Sequence, residues 1–235
     1  MLQNNWLALL ITFLLALGWL RLMDYVAKRG WISNRLSRKI IHMGTGPLYV
    51  MCWSLFRNTP EARYLAALVP GAITFQFLLV GLGVIKDEAA VQAMSRTGNP
   101  REILRGPLFY GIVFVILTII YWLDTPIGIV ALMMLSGGDG LADIIGRRYG
   151  SQKLPWNKNK TWLGSLSLFV GGWMFAMAIL VFYVILYTFP GPATLYLLPI
   201  TVIATASMLV ESFPLRDYDN ITMTLAAVIT GYWVL

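Results

Sequence analysis

Long apolar segments, separated by short polar loops, limit this chain to very few folds. They cover residues 4–22, 39–56, 63–85, 107–123, 126–145, 163–188, 193–210 and 220–235. A helix needs about 20 apolar residues to cross a bilayer, and a helix satisfies its own backbone hydrogen bonds there. Only 12% of the residues are charged, against about 25% in soluble domains. We therefore expect an all-α, polytopic transmembrane helical bundle with about seven or eight spans, in one domain over residues 1–235.

The basic residues lie almost entirely in alternate loops, at residues 21–39, 86–106, 146–162 and 211–219. Of the 18 lysines and arginines, only Arg57 and Arg63 lie on the opposite side. The positive-inside rule assigns the basic loops to the cytosol and both termini to the other side. This asymmetry accounts for the net charge of +7 without a nucleic-acid partner. No basic residue precedes the first segment and no small-residue cleavage site follows it, which favours a retained span over a signal peptide.

The cysteine and histidine content excludes two kinds of site. Cys52 is the single cysteine, so an intrachain disulfide is impossible, and no Cys/His cluster has the spacing of a zinc site.

Of the 11 acidic residues, all but Glu61 and Asp124 fall on the same side as the basic loops. A site built from several of these acids would open to the cytosol while touching the lipid layer.

Two carboxylates, Asp139 and Asp143, lie four residues apart at the end of the fifth apolar segment. Residues with this spacing share one face of a helix. An acid near hydrocarbon costs about 2.5–3.5 kcal/mol, so we predict that the pair binds Mg²⁺, with Arg147 on a phosphate oxygen. The alternative is a helix end at which Arg147 merely pairs with Asp143. The glycines at 137, 138 and 140 allow a ligand to approach the backbone closely and allow a break in the segment.

A basic loop follows, with Lys158, Lys160, Thr161 and Gly164 just before and at the start of the next span. A lysine and a hydroxyl beside a helix N-terminus suit phosphate binding. The pattern G-x-x-x-x-G-K-[ST] is absent, so this is not a Walker A loop. The alternative is that these lysines only set the topology.

Another candidate phosphate clamp opens the second segment, where Arg38, Lys39 and His42 lie within five residues. Arg38 and His42 share a helix face. The alternative is topology charge followed by a histidine at the membrane interface.

The remaining candidates are three acids with two polar neighbours. Glu211 ends the seventh segment, where a helix C-terminus disfavours negative charge, and Asp219 and Asn220 begin the eighth. They are either helix caps or part of a site. Glu102 and Arg105 either form an ordinary i, i+3 surface pair or belong to a lid over the site.

Taken in order, these blocks resemble the phytol kinase and farnesol kinase family. The matching residues are R-K-I-I-H at 38–42, R-E-I-L-R-G-P-L-F-Y at 101–110, G-D-G-L-A-D-I-I-G-R-R-Y-G at 138–150, K-T-W-L-G-S at 160–165, E-S-F-P at 211–214 and D-N-I-T at 219–222. That family belongs with the dolichol kinases and, more distantly, the phosphatidate cytidylyltransferases. The resemblance implies phosphoryl transfer from CTP to a prenyl alcohol such as phytol, farnesol or geranylgeraniol. It also implies a role in phytol salvage toward tocopherol.

Phosphoryl transfer requires positioning and charge neutralisation, which suggests a role for each candidate. Asp139 and Asp143 would hold Mg²⁺, and Asp219 or Glu211 would accept the alcohol proton. The expected nucleotide-binding residues are Arg38, Lys39, His42, Arg147, Lys160, Thr161 and Gly164, and the expected substrate or lid residues are Glu102, Arg105 and Asn220. The partners would be the bilayer, the alcohol and the nucleoside triphosphate.

Three other functions are compatible with these residues. One is a cytidylyltransferase, and another is a diacylglycerol kinase or dolichol kinase type of lipid enzyme. A third is an ion-coupled transporter that uses Asp139 and Asp143, although such sites usually lie at the bilayer midplane.

Overall fold

The computed structural model describes residues 2, 4–95, 97–214 and 218–235, and its regular secondary structure there is helical. The helices are α1 (Asn5–Lys28), α2 (Asn34–Cys52), α3 (Ala62–Gly81), α4 (Glu88–Met94), α5 (Gly106–Tyr121), α6 (Ile127–Met133), α7 (Asp139–Tyr149), α8 (Trp162–Ile185), α9 (Leu197–Ser212) and α10 (Asp219–Val234). Short 3-10 turns cover Trp53–Leu55, Pro100–Leu104 and Ala193–Tyr196. Arg96, Arg216 and Asp217, which contribute to the predicted loop charge, lie outside the described residues. The all-α fold is confirmed.

Six helices within the described ranges are long and apolar enough to cross a membrane. They are Asn5–Lys28, Ala62–Gly81, Pro100–Tyr121, Ile127–Tyr149, Trp162–Ile185 and Ala193–Ser212. The second and eighth predicted segments are helical but do not meet this standard. Helix α2 has 19 residues, yet its first two turns contain Arg35, Arg38 and Lys39. Helix α10 has 16 residues and is therefore about 24 Å long, short of a hydrocarbon core of about 30 Å.

The glycines of the fifth segment widen the helix instead of breaking it. Between α6 and α7 the chain forms one π-helical turn, Met134–Gly138, and all five of its residues are buried. Such turns insert a residue into an α-helix and are frequent at functional sites. Here the turn ends immediately before Asp139, the first residue of α7.

The chain divides into two compact units, which are described separately; a single domain remains a prediction. In the first unit, Met1–Ile119, α1 packs against α2 and α3, and the 3-10 turn Pro100–Leu104 packs against α3. Trp53, Phe56 and Ile103 are fully buried in its core.

In the second unit, Ile120–Leu235, α8 packs against α6, the π turn, α7 and α9, and α10 packs against α9 and α6. Glycines bring α7 and α8 close together: a Cβ atom on Gly146 would lie only 2.9 Å from the Cα atom of Gly164. Likewise, a Cβ atom on Gly171 would lie 2.8 Å from the carbonyl oxygen of Gly137 in the π turn. This small-residue contact, of the kind common between membrane helices, fixes α7 against the start of α8.

Candidate active site

Helix α7 carries the predicted metal ligands. Asp139 and Asp143 lie one turn apart on it and therefore point to the same side of the helix. Arg147, one further turn along, forms an ion pair with Asp143 through its Nε atom. The Asp143 side chain is 16% exposed and that of Arg147 is 53% exposed. The pairing that we gave as the alternative is therefore present in the structure, and phosphate binding by Arg147 stays a prediction.

The loop between α7 and α8 is held in one conformation by its own backbone. Leu154 N donates to the Lys160 carbonyl at 3.0 Å, and Trp162 N donates to the Gln152 carbonyl at 3.1 Å. Lys153 and Thr161 form an isolated antiparallel bridge across the same loop. These bonds define the direction in which the Lys160 side chain leaves the loop.

Lys160 reaches the adjoining ends of α9 and α10. Its Nζ atom donates to the Glu211 carbonyl at 2.7 Å, forms an ion pair with the Glu211 carboxylate and lies 3.7 Å from Oδ2 of Asp219. The side chains are 21%, 8% and 37% exposed for Lys160, Glu211 and Asp219, respectively. The predicted phosphate-binding lysine and both predicted proton acceptors therefore lie together.

The position of Glu211 at a helix C-terminus now has a physical explanation. The last carbonyl groups of a helix have no partner within it and favour cations. The Lys160 ammonium binds one of these carbonyls and the Glu211 carboxylate at once. The lysine thus offsets both the end of the helix dipole and the buried acid.

Asp139 belongs to the same electrostatic neighbourhood. The charged groups that act on Glu211 are the Lys160 ammonium and two further carboxylates, those of Asp139 and Asp219. Glu211 therefore feels the charges of acids from α7 and α10 together with that of the loop lysine. An excess of carboxylates at such a point favours an additional cation.

Thr161 and Gly164 both have structural contacts at the start of α8. Thr161 is the N-cap: its hydroxyl accepts a hydrogen bond from Gly164 N at 3.0 Å and donates to the Gly146 carbonyl at 3.4 Å. Gly164 lies against α7, where a Cβ atom on it would be 3.3 Å from the Cα atom of Gly146. The Gly164 N–H group is thus used within the cap, and nucleotide binding by these two residues stays a prediction.

At the start of α10, neither Asp219 nor Asn220 is the N-cap residue, which is Tyr218. Asp219 lies in the first turn, where a negative charge is favoured by the helix dipole. Its Oδ1 atom accepts a hydrogen bond from Asn220 N at 3.2 Å. The capping explanation therefore does not account for Asp219, whose other carboxylate oxygen faces Lys160.

The first unit contains the predicted phosphate clamp of α2. Arg38 donates from Nη1 to the Ser95 carbonyl at 2.8 Å. The His42 ring packs against Tyr110 with 4.2 Å between centroids, and the Tyr110 hydroxyl donates to the His42 carbonyl at 2.9 Å. Lys39 is half-buried on the same helix. A role for these three residues in nucleotide binding stays a prediction.

The predicted lid segment is anchored within the first unit. Glu102 accepts hydrogen bonds from the backbone N and the hydroxyl of Thr97, at 3.1 and 3.0 Å. Ile103 is fully buried, and Arg105 N donates to the Glu102 carbonyl at 3.3 Å. The segment therefore has a fixed position, and its action as a lid stays a prediction.

The two carboxylates of α7 match one of the ways in which proteins bind Mg²⁺. Within the described ranges, no three histidine, cysteine or acidic side chains are arranged to hold a metal ion. Magnesium is usually bound by one or two carboxylates together with water and the phosphates of a substrate. The Asp139 and Asp143 pair suits an ion that arrives with a nucleotide and does not suit one held by the protein alone.

Sequence reasoning missed three residues that hold the loop in place. Trp156 Nε1 donates to Ser212 Oγ at 3.2 Å, and Asn157 Nδ2 donates to the Ser212 carbonyl at 3.1 Å. An asparagine in a polar turn gives no signal beyond the turn itself. Its contact with α9 depends on residues 55 positions away.

Comparison with known proteins gives consistent results along most of the chain. It is 44% identical over 214 residues to the rice (Oryza sativa subsp. japonica) protein "Probable phytol kinase 1, chloroplastic", covering 90% of this chain and 68% of the relative. It is 37% identical over 224 residues to "Farnesol kinase, chloroplastic" of Arabidopsis thaliana, covering 94% and 73%. It is 36% identical over 211 residues to "Phytol kinase 1, chloroplastic" of the same plant, covering 89% and 69%. No family model and no solved structure matches the chain.

Proposed function

Because the chain belongs to the family of phytol and farnesol kinases, we propose that it phosphorylates a prenyl alcohol with CTP. The product would be the monophosphate of phytol, farnesol or geranylgeraniol. The observation that carries this proposal is the 44% identity over 90% of the chain. The geometry adds a loop lysine that contacts Glu211 and lies near Asp219, at the adjoining ends of α9 and α10. Phosphoryl transfer relies on positioned cations of this kind to neutralise phosphate charge.

The second unit would supply the groups that act on the phosphates. Lys160 is a point charge suited to the oxygens of the transferred phosphoryl group. In the structure its ammonium contacts Glu211 and lies near Asp219, so phosphate oxygens would replace part of these contacts. Arg147, 53% exposed, would reach the same triphosphate after leaving Asp143.

Asp219 is the better candidate for the group that accepts the alcohol proton. Glu211 is nearly buried and paired with Lys160, whereas Asp219 is 37% exposed and lies 3.7 Å from the lysine. As the alcohol oxygen bonds to the γ-phosphorus, the bond from that phosphorus to the bridging oxygen of CDP breaks. The alcohol proton passes to the Asp219 carboxylate, and Glu211 keeps Lys160 in place.

Asp139 and Asp143 are the residues that would hold Mg²⁺. When bound, the ion would neutralise charge on the triphosphate. The ion pair between Arg147 and Asp143 would open for this purpose, which leaves both the arginine and the carboxylate available to the substrate complex.

We assign the site to the membrane face with the basic loops, which the positive-inside rule gives as the cytosolic face. The prenyl tail would lie between spans, with its hydroxyl at the level of Lys160. Phytol salvage toward tocopherol is the pathway that this activity would serve.

Purified protein with Mg²⁺ and CTP, labelled in parallel reactions at the γ-phosphate and at the α-phosphate, tests the proposal. The acceptors are phytol, farnesol and geranylgeraniol, with a long polyprenol and diacylglycerol as comparisons. We expect the γ-label, and not the α-label, on the short prenyl alcohols. Lipid-linked CMP would instead indicate a cytidylyltransferase, phosphate on the polyprenol or diacylglycerol alone would indicate the other kinase types, and ATP or UTP as the only active donor would contradict the assignment of CTP.

A further inference from the structure

Asn157 is a buried polar residue that the proposed chemistry does not use. It lies in the loop between α7 and α8 and is only 5% exposed. Each of its polar groups has a partner. Its side-chain amide donates to the Ser212 carbonyl at 3.1 Å and accepts from Asn159 N at 3.2 Å. Its backbone carbonyl accepts from Lys160 N at 3.1 Å, and its backbone N donates to the Leu154 carbonyl at 3.3 Å.

This asparagine is also one of three donors that attach the loop to the end of α9. The other two are Trp156 Nε1, which binds Ser212 Oγ at 3.2 Å, and Lys160 Nζ, which binds the Glu211 carbonyl at 2.7 Å. Carbonyl groups at a helix C-terminus lack partners within the helix, so the loop supplies them. The turn that carries Lys160 is therefore fixed to the helix that carries Glu211.

We propose that Asn157 is a positioning residue that acts through Lys160. Its side chain donates to α9 and at the same time accepts from the backbone of the turn leading to Lys160. These two hydrogen bonds hold the Lys160 ammonium between Glu211 and Asp219, where the phosphates of the nucleotide would bind. The inference deepens the proposed function and rests on it.

The chemistry of the contact requires an amide of this length. A carboxylate keeps the acceptor but has no donor for the Ser212 carbonyl, and alanine has neither group. Glutamine has the same groups on a side chain one methylene longer, which does not fit a buried position without a shift. Asparagine therefore satisfies both partners.

The test compares Asn157→Ala with Asn159→Ala in the purified, full-length protein. Asn159 lies in the same turn with an exposed side chain, so the second variant is a matched control. For Asn157→Ala we expect the KM for CTP to rise by about ten- to a hundredfold, because small misplacements of a positioning group have effects of this size. The KM for phytol should stay within about twofold of the wild-type value, since a displaced Lys160 weakens binding of the nucleotide alone. Asn159→Ala should leave both constants within about twofold.

Direct binding of CTP to each variant, measured by calorimetry, separates positioning from folding. In Asn157→Ala the dissociation constant for CTP should rise together with the KM for CTP. The thermal midpoint of unfolding, measured in parallel, shows that each variant is folded under the assay conditions. If Asn157→Ala does not yield folded protein, Asn157→Asp retains the size and the acceptor and is measured instead, with the same expected rise. An unchanged KM for CTP, or an equal rise for CTP and phytol, would overturn the inference in an active enzyme. A wild-type protein that transfers no phosphate from CTP would overturn the proposed function itself.

Discussion

The two units use their charged residues in different ways. In the first unit, Arg38 binds a backbone carbonyl, Glu102 binds a backbone N–H and a hydroxyl, and Asp24 pairs with Lys28 along one helix at 2.8 Å. In the second unit, charged side chains from a loop and two helices converge, with Lys160 in contact with Glu211 and near Asp219. The contacts of the first unit connect one stretch of backbone to another or follow a single helix. The contacts of the second unit bring charged side chains from different elements to one point.

From this difference we expect the second unit to supply the groups that act on the phosphates and the first unit to bind and support. The Glu102 carboxylate already accepts two hydrogen bonds from Thr97, which makes it less available as a metal ligand. Carboxylates that share one lysine gain from an additional cation. The comparison therefore predicts that equivalent substitutions have unequal effects in the two units.

The largest expected effect comes from removing one acid of the second unit. We expect Asp139→Asn to reduce phosphoryl transfer by about a thousandfold while the protein still inserts into membranes, because groups that stabilise developing charge contribute on this scale. The measurement is transfer of γ-labelled phosphate from CTP to phytol. Asp24→Asn is the matched change in the first unit and should leave transfer within about twofold, since exposed helix pairs contribute little. Equal losses in both variants would contradict the comparison.

A slightly smaller loss is expected for Lys160→Met, about a hundredfold in transfer. The variant should also unfold at a lower temperature, because the nearly buried Glu211 carboxylate is left without its cation. Adding Glu211→Gln should restore the thermal midpoint and leave transfer low. Full transfer in Lys160→Met would show that the lysine serves only to cap α9.

Packing substitutions come next, and here stability is the measured quantity. Gly164→Ala should destabilise the protein by about 1–3 kcal/mol, because the new methyl group would lie 3.0 Å from Thr161 Oγ1 and 3.3 Å from the Cα atom of Gly146. Gly18→Ala in α1 meets nothing within 4 Å and should stabilise by about 0.4–1 kcal/mol. Thermal unfolding in detergent checks both, and a stabilising Gly164→Ala would contradict the close contact of α7 and α8.

The smallest effect is expected for Tyr110→Phe in the first unit. It removes the hydrogen bond to the His42 carbonyl at 2.9 Å and keeps the ring that packs on His42. We expect a loss of about 0.5–1.5 kcal/mol in stability and less than about a twofold change in transfer. Tyr64→Phe, at an exposed position of the same unit, is the control. A large loss of transfer would mean that His42 acts on a substrate and that the first unit also takes part in chemistry.

Much of the fold follows from local sequence, and much of the site does not. Apolar runs predict the helices because burial of backbone groups in lipid permits few alternatives. The pairing of Asp143 with Arg147 follows from a spacing of four residues. The π turn is different, because it packs closely against Gly171 and Gly172 of α8, and no pattern within residues 134–138 reports these distant partners.

The contacts of Lys160 show the same limit. Glu211 was identifiable as an acid in an unfavourable position at a helix end, but its partner lies 51 residues away. Asn157 gave no such sign, because an asparagine in a polar loop satisfies its local preferences in any turn. Its hydrogen bond to the Ser212 carbonyl joins residues 55 positions apart and depends on the tertiary structure.

The contact between α8 and the helix formed by α6, the π turn and α7 has a consequence for how this enzyme could change its substrate. Gly164 and Gly171 bring the backbone of α8 close to backbone atoms of Gly146 and Gly137 there. Glycines have no rotamers to rearrange and lose no side-chain entropy on assembly. They cannot be made smaller, so these positions cannot gain space by truncation. We therefore expect adaptation to a longer or shorter alcohol to arise on other helix faces, while this contact keeps α7 against the start of α8.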